Sequence, residues 1–395
     1  MPTGFTIWVG VSVASELAAG TLSFALTWVA SGYGAQFASA VLVVSVAPSV
    51  VFGLLGGAAA DRYGPRRMMV VGTIALMITS SALGAAVALW GTPPWVLLLA
   101  AALIGMIAAF YRPAVGVFPR LFVADADLGA AMARVGVASQ IARTVAPPLG
   151  GLLIGLIALS GIAVIDVLAC AAMLGVLLLV RPARPQPEAP EAMTVRGVAS
   201  GISVARRTPG VPTLLAAVAI VAGAVIPAVV LGIPLAARER GWSAAEAGII
   251  EAGWIAGGLV IGGWYAVRGT STRAWIPMTI GPVIIAGGLL ALALADTVPV
   301  ALLATCVIGA GVVVFTAHLF PTYVLLAPDG MLSRFQSLLI VCQQAPQLLV
   351  LPAVGALVAV TGAGVMFGFS ALAAIAAGVL VVRDRALHLG GKAED

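Results

Sequence analysis

Five ionisable side chains, Glu16, Arg112, Arg143, Asp166 and Glu251, stand inside long apolar runs of this 395-residue chain. A charge midway along such a run costs about 2.5 to 3.5 kcal/mol on insertion scales, so each one needs a reason. In the first run Ser12, Glu16, Ser23 and Thr27 are spaced by four, seven and four residues. At about 100° per residue this confines them to a stripe roughly 60° wide. A polar stripe on an apolar helix lines a water-accessible space, and Glu16 sits near its middle. Because desolvation favours a neutral carboxyl and a nearby arginine favours a charged one, a change of surroundings would load and unload a proton there. A proton or a cationic substrate is the expected ligand, against the plainer alternative of a structural hydrogen bond.

Gln140, Arg143, Thr144 and Pro147 share one face of the fifth run, which makes Arg143 the expected cavity cation, paired with Glu16 or open to an anionic substrate group. Arg112, beside Pro113, lies nearer the end of its run and either partners Glu16 or the loop described below, or snorkels. Asp166 and Glu251 lie a short way inside the outer ends of theirs, where cavity binding and interfacial solvation are equally good accounts. Gln336, Gln343 and Gln347, spaced by seven and four, form a second stripe for substrate contact or for bonds between helices. His318 is either a proton relay or satisfied locally. Trp28, Trp90, Trp95, Trp242 and Trp275 fall near the ends of runs, where belt anchoring explains them.

The elements that must hold these residues are set by composition. Hydrophobic residues make up 62% and charged residues 9% of the chain, whereas soluble domains carry about a quarter charged residues. A soluble globular protein is excluded, and the solvent is lipid. Apolar runs at about 5–31, 36–60, 68–90, 95–118, 129–158, 161–181, 211–236, 244–267, 274–296, 298–324, 332–360 and 362–382 are each long enough to cross a bilayer. The fold class is therefore an all-α membrane protein of twelve transmembrane helices. No Lys or Arg precedes Arg62, so the first run is read as a span rather than a secretion signal. With both termini inside, sixteen of the twenty basic residues fall on the cytoplasmic side, as the positive-inside rule requires. Because the arginines stand singly between apolar runs, the net charge of +5 points to topology and not to nucleic acid. Cys170, Cys306 and Cys342 lack the paired spacing of a disulfide framework or zinc site. Nothing resembles a nucleotide-binding loop, a catalytic triad or a metal cluster, so neither enzyme activity nor a cofactor is expected.

The longest polar stretch, Arg181 to Gly210, divides the chain into an N-terminal six-helix bundle (1–182), a cytoplasmic linker (183–210) and a C-terminal six-helix bundle (211–395). Within the linker Val195, Val198, Ile202 and Ala205 oppose Arg196, Ser203, Arg206 and Arg207, the pattern of a short helix lying on a membrane surface. The two bundles echo each other. FPRLFVADAD from Phe118 and FPTYVLLAPD from Phe320 both place Phe-Pro ahead of an Asp at an offset of 202 positions. Arg62 and Arg67 match Arg268 and Arg273 in spacing. Two pseudo-symmetric halves with a substrate site between them is a common plan of secondary transporters.

Between the second and third runs stands GAAADRYGPRR, from Gly57 to Arg67. It resembles the signature loop of the major facilitator superfamily at Gly57, Asp61, Arg62, Gly64, Arg66 and Arg67. Physical roles can be assigned to some of these independently: Gly57 would allow close helix approach, and Gly64 would permit the turn. The resemblance implies a gating latch in which Asp61 and Arg62 bond across the two halves; the plainer reading is that the arginines only fix topology. APPLGG, from Ala146 to Gly151, resembles an element of the antiporter branch, although Ala146 stands where glycine is usual. Pro147, Pro148, Gly150 and Gly151 would then form a structural pivot. The stretches RGVASGISVARRTP and ERGWSAAEAG are similar to the subgroup of macrolide and enterobactin exporters.

These resemblances imply a monomeric, proton-coupled exporter in a bacterial inner membrane. Its partners would be lipid, protons and a small amphipathic compound such as a drug, a siderophore or another natural product. An importer or uniporter of a small polar metabolite, and a non-transporting sensor or scaffold, are the competing readings.

Overall fold

A computed structural model describes residues 3–123, 125–180, 202–271, 273–328 and 331–389, and among these the chain is helical with no strand. The helices are α1 (Thr3–Ser31), α2 (Ala35–Tyr63), α3 (Pro65–Trp90), α4 (Pro94–Val117), α5 (Asp125–Leu179), α6 (Val211–Pro227), α7 (Ile233–Glu239), α8 (Ala244–Arg268), α9 (Trp275–Ala293), α10 (Val298–Leu325), α11 (Leu332–Thr361), α12 (Ala363–Arg383) and α13 (Arg385–Leu389). Residues 183–201, with most of the expected linker and half of its amphipathic helix, lie outside the described residues. Residues 202–207 are helical, with Ala205 buried and Arg206 and Arg207 exposed.

Eleven of the described helical stretches are long and apolar enough to cross a membrane. One of them, α5, has 55 residues, about 80 Å of helix, against a hydrocarbon core of about 30 Å. Its backbone breaks at Ala158, where φ is 56°, so α5 makes two passes and the chain makes twelve. The break falls at the expected boundary between the fifth and sixth spans. The seventh span is α6 continued through a π-helical turn at Ala228–Gly232 into α7. Pro234 offers no N–H to the carbonyl four residues back, and the wider spacing accommodates that gap.

The chain divides into two compact units, residues 1–192 with 243–249, and residues 193–242 with 250–395. In the first unit α1 lies against both arms of α5. Ser15 Oγ donates to the Ala169 carbonyl at 3.2 Å and Thr21 Oγ1 to the Ala146 carbonyl at 3.5 Å. One end of this unit is closed by an aromatic cluster of Phe5, Trp8, Phe118 and Phe122 with Met69, Met173 and Leu177.

Both units hold their second and fourth spans together through glycine. In the first unit a Cβ on Gly56 or Gly105 would come closer than 3.0 Å to the carbonyl of Ala109 or Ser45. In the second, Gly257 and Gly309 stand in the same relation to Cys306 and Trp254. Small residues of this kind let backbones touch where lipid provides no hydrophobic drive. The Phe-Pro repeat has less structural content. Phe118 is buried and opens a 3-10 turn, whereas Phe320 is exposed within α10, and the buried aromatic of that region is Tyr323, whose hydroxyl donates to the Phe335 carbonyl.

Candidate functional site

Glu16 lies about 20 Å along α1 and Arg143 about 27 Å along α5, each well inside its helix. Arg143 Nε donates to Glu16 Oε1 at 2.8 Å, with 65% of the arginine and 30% of the glutamate side chain exposed. The helices meet one turn further along, where a Cβ on Gly20 would touch that of Ala146. Together with the Ser15 bond to Ala169, this contact fixes the position of Glu16 from both sides. Gln140 sits one turn before Thr144, whose hydroxyl donates to the Gln140 carbonyl, and its side chain is half-buried. Arg112 is exposed on α4 and interacts electrostatically with both Arg143 and Glu16 without a hydrogen bond to either. This part of the first unit thus holds two guanidinium groups and one carboxylate.

The polar stripe of α1 is less uniform than its spacing suggests. Ser23 is exposed, but Thr27 is buried and donates back to the Ser23 carbonyl, and the Ser12 hydroxyl is buried without a partner. Asp166 is also buried, at 4% exposure, where its Oδ2 accepts from Ser80 Oγ at 2.6 Å and contacts Cys170 Sγ. Interfacial solvation therefore does not account for Asp166; a hydroxyl from α3 does. A groove of about 510 Å³ between α3 and α5, lined by Ser80, Ser81, Ser160 and apolar side chains, lies beside it.

In the second unit Gln347 is buried and donates Nε2 to the Gln343 carbonyl of its own helix at 3.0 Å, while Gln343 is half-buried and Gln336 exposed. His318 is satisfied on both nitrogens. Nε2 accepts from the Ser271 N–H at 3.0 Å and Nδ1 lies 3.0 Å from the Val314 carbonyl, an arrangement that requires the neutral ring protonated on Nδ1. Glu251 is half-buried on α8. The start of that helix is a capping box, with Ser243 N–H and Oγ donating to Glu246 Oε2 and the Glu246 N–H returning to Ser243 Oγ.

The signature loop divides into distinct parts. Gly64 has φ of +88°, ends α2 and precedes Pro65 at the first position of α3, so the turn requires it. Gly57 does not permit a close helix approach, because open space surrounds the position its Cβ would occupy; Gly56, one residue earlier, makes that approach to Ala109. Arg66 is structural in this conformation. Its Nε and Nη2 donate to the carbonyls of Leu177 and Leu178, satisfying the C-terminal end of α5. Asp61, Arg62 and Arg67 are exposed, and the Arg62 guanidinium lies over the Tyr63 ring.

At the expected pivot the backbone of α5 stays helical through Pro147 and Pro148, and the break comes ten residues later at Ala158. Gly150 meets the Thr21 carbonyl of α1, Gly151 meets Ala244, and Gly248 meets the Pro147 carbonyl. The segment is thus a site of tight packing on two sides.

Several residues with structural roles gave no sequence signal. Ser80 is recognisable only as the partner of Asp166. Glu239 accepts the Ala363 N–H at the start of α12, and Arg240 caps the carbonyls of Leu292 and Ala293. Burial lowers the Arg240 guanidinium from its ordinary value, opposed by Glu239 and Asp296. Among the described residues no group of three or more His, Cys, Asp or Glu side chains could hold a metal ion.

A family model described as the Major Facilitator Superfamily matches residues 9–351. The chain belongs to the Major Facilitator Superfamily. It is a multi-pass membrane transporter and not an enzyme. Comparison with curated proteins returned no match. Among solved structures, this superfamily member is similar to a POT family transporter in complex with 5-aminolevulinic acid, at 15% identity and a TM-score of 0.76 over 98% of this chain and 97% of that one. The nucleoside transporter NupG gives 13% identity and a TM-score of 0.76 over 98% and 100%. A bacterial homologue of the iron transporter ferroportin, in an inward-facing state, gives 16% identity and a TM-score of 0.73 over 97% and 99%. At these identities the likeness concerns the fold.

Proposed function

We propose that this transporter is a proton-coupled exporter of small amphipathic compounds. It belongs to the drug/proton antiporter branch and works as a monomer in a bacterial cytoplasmic membrane with both termini inside. The observation that carries the reading is the Glu16–Arg143 pair. A carboxylate and a guanidinium set well along apolar spans are expensive unless they work, and a scaffold would gain from losing both. Protonation of Glu16 ends the attraction and leaves Arg143 and Arg112 as unbalanced cations, whereas deprotonation restores the pair. The proton is thereby tied to a change of charge within the bundle, which a two-state carrier can follow. The tightly packed segment around Pro147–Gly151 serves this motion as a hinge surface, and exposed Asp61 and Arg62 act as the latch.

The test uses everted membrane vesicles under an imposed pH gradient and a panel of amphipathic dyes. Gradient-driven accumulation is expected with the native chain, lost on dissipating the gradient and lost in Glu16→Gln. Movement indifferent to both would point to a uniporter and overturn the coupling.

A further inference from the structure

At one end of the second unit the segment leading into it is tied to the last described helix. Residues 202–207 form a short helix that turns at Gly210, where φ is +82°, and α6 starts at Val211. α13 folds back onto this corner. A Cβ on Gly210 would lie 2.8 Å from the Leu387 side chain, and Leu387 is itself buried. Thr213 Oγ1 donates to Asp384 Oδ2 at 2.5 Å, and Asp384 Oδ1 accepts the Ala386 N–H at 3.0 Å. One carboxylate thus joins the start of α6 to the turn between α12 and α13, 171 positions further along the chain.

Four arginines adjoin this joint. Arg206 and Arg207 precede Gly210, Arg383 and Arg385 flank Asp384, and all four are exposed and make no hydrogen bond or ion pair with a described residue. Ala205 and Leu387 are buried, so each short helix turns an apolar side to the bundle and leaves its charge outside. Asp384 is the acid of the joint, and both of its oxygens already accept a bond. Like charges gathered around one occupied carboxylate repel, a cost that an outside anion removes. The span of α12 ends at Arg383 and that of α6 begins at Val211, so the joint stands where hydrocarbon gives way to the phosphate layer. Topology needs basic residues only somewhere near a span end. It does not need a buried leucine and a shared carboxylate to bring two distant pairs to one place.

We propose that this joint is a binding site for anionic phospholipid, whose phosphate groups the four guanidinium groups take, holding the end of the linker and α13 against the membrane surface. Guanidinium matches phosphate oxygens in pairs and gives up its water readily. The attraction of arginines beside a membrane for anionic lipid grows with their number, and here the fold supplies four together. A soluble phosphate compound would meet the same charges, but only a lipid is delivered to them at the depth where they stand. The inference concerns attachment to the bilayer, so it holds for an exporter and an importer alike. In a bilayer with the same lipids in both leaflets it does not depend on which side the termini face.

The test is titration of phosphatidylglycerol or phosphatidylcholine into the full-length protein in detergent, read by native mass spectrometry. The native protein is expected to bind its first phosphatidylglycerol more tightly than phosphatidylcholine, and less tightly as salt rises. Replacing Arg206, Arg207, Arg383 and Arg385 together by Gln should weaken that binding at least about tenfold, at up to about fivefold per arginine. Replacing four other exposed arginines, Arg67, Arg120, Arg134 and Arg273, by Gln removes the same charge and should leave it within about twofold. Leu387→Ala, which keeps every charge but loosens the joint, should fall between the two. Glycerol phosphate at the same concentration should not compete. In parallel, nanodiscs containing phosphatidylglycerol should slow hydrogen exchange of the native protein in residues 202–213 and 384–389 relative to phosphatidylcholine nanodiscs, a measurement that needs no variant to fold. Equal affinity of the native protein for the two lipids, an equal loss in the charge-matched control, native affinity in Leu387→Ala, competition by glycerol phosphate, or exchange that phosphatidylglycerol does not change would each overturn the proposal.

Discussion

The glycine seam between α8 and α10 makes a prediction whose sign changes within one helix. A Cβ added to Gly257 or Gly309 would lie closer than 3.0 Å to the carbonyl oxygen of Cys306 or Trp254. These are backbone atoms of regular helices, so no side chain can rotate away and the helices must part. Overpacking costs about 1 to 3 kcal/mol, and contact with rigid backbone belongs in the upper part of that range. Exchanging Gly for Ala inside a helix returns about 0.5 to 1 kcal/mol. The net loss for Gly257→Ala or Gly309→Ala is therefore about 1 to 2.5 kcal/mol. At Gly263, six residues along α8, nothing lies within 4 Å of the added carbon. Only the conformational term remains there, and Gly263→Ala should gain about 0.5 to 1 kcal/mol. Reversible unfolding in mixed detergent, followed by tryptophan fluorescence, should rank Gly263→Ala above the native chain and the two seam variants below it. Gly257→Ala as stable as Gly263→Ala would refute the close approach of α8 and α10, and with it the placement of the helix that carries Glu251.

Two further outcomes follow from side-chain bonds. Asp166→Ala strands the buried Ser80 hydroxyl and should lose about 1 to 3 kcal/mol of unfolding free energy, whereas Asp166→Asn keeps an acceptor for Ser80 and should lose less; equal losses would show that the bond is not the reason for the acid. His318→Ala removes the acceptor of the Ser271 N–H, so hydrogen exchange at Ser271 should accelerate by about fivefold, for a bond worth about 1 kcal/mol; unchanged exchange would contradict that role.

The helices were readable because lipid sets their length and composition, and even the break in α5 coincides with an expected loop. Their internal contacts were less readable. Spacing placed Glu16 and Arg143 on polar faces of their own helices, but only the register of α1 against α5, fixed by Gly20, Ala146 and Ser15, brings them together. Gly57 stood out because the loop pattern includes it, yet the residue that touches α4 is Gly56. A pattern along one helix says nothing of which turn a neighbour approaches. Pro147 and Pro148 suggested a pivot; the helix backbone runs unbroken through both, and the close contacts of Gly150, Gly151 and Gly248 around them could not be read from the segment itself. Asp166 could not be interpreted without Ser80, since hydrogen bonds between different spans leave no periodic trace in either. Arg66 is a similar case, because its acceptors on α5 lie more than a hundred positions away.

The most direct test of the coupling role assigned to Glu16 is proton movement in proteoliposomes loaded with a pH-sensitive dye. Adding a transported compound to one side should drive protons in the opposite direction with the native chain, and should drive none with Glu16→Gln although that variant still binds the compound. Proton movement by Glu16→Gln at the native rate would contradict the account.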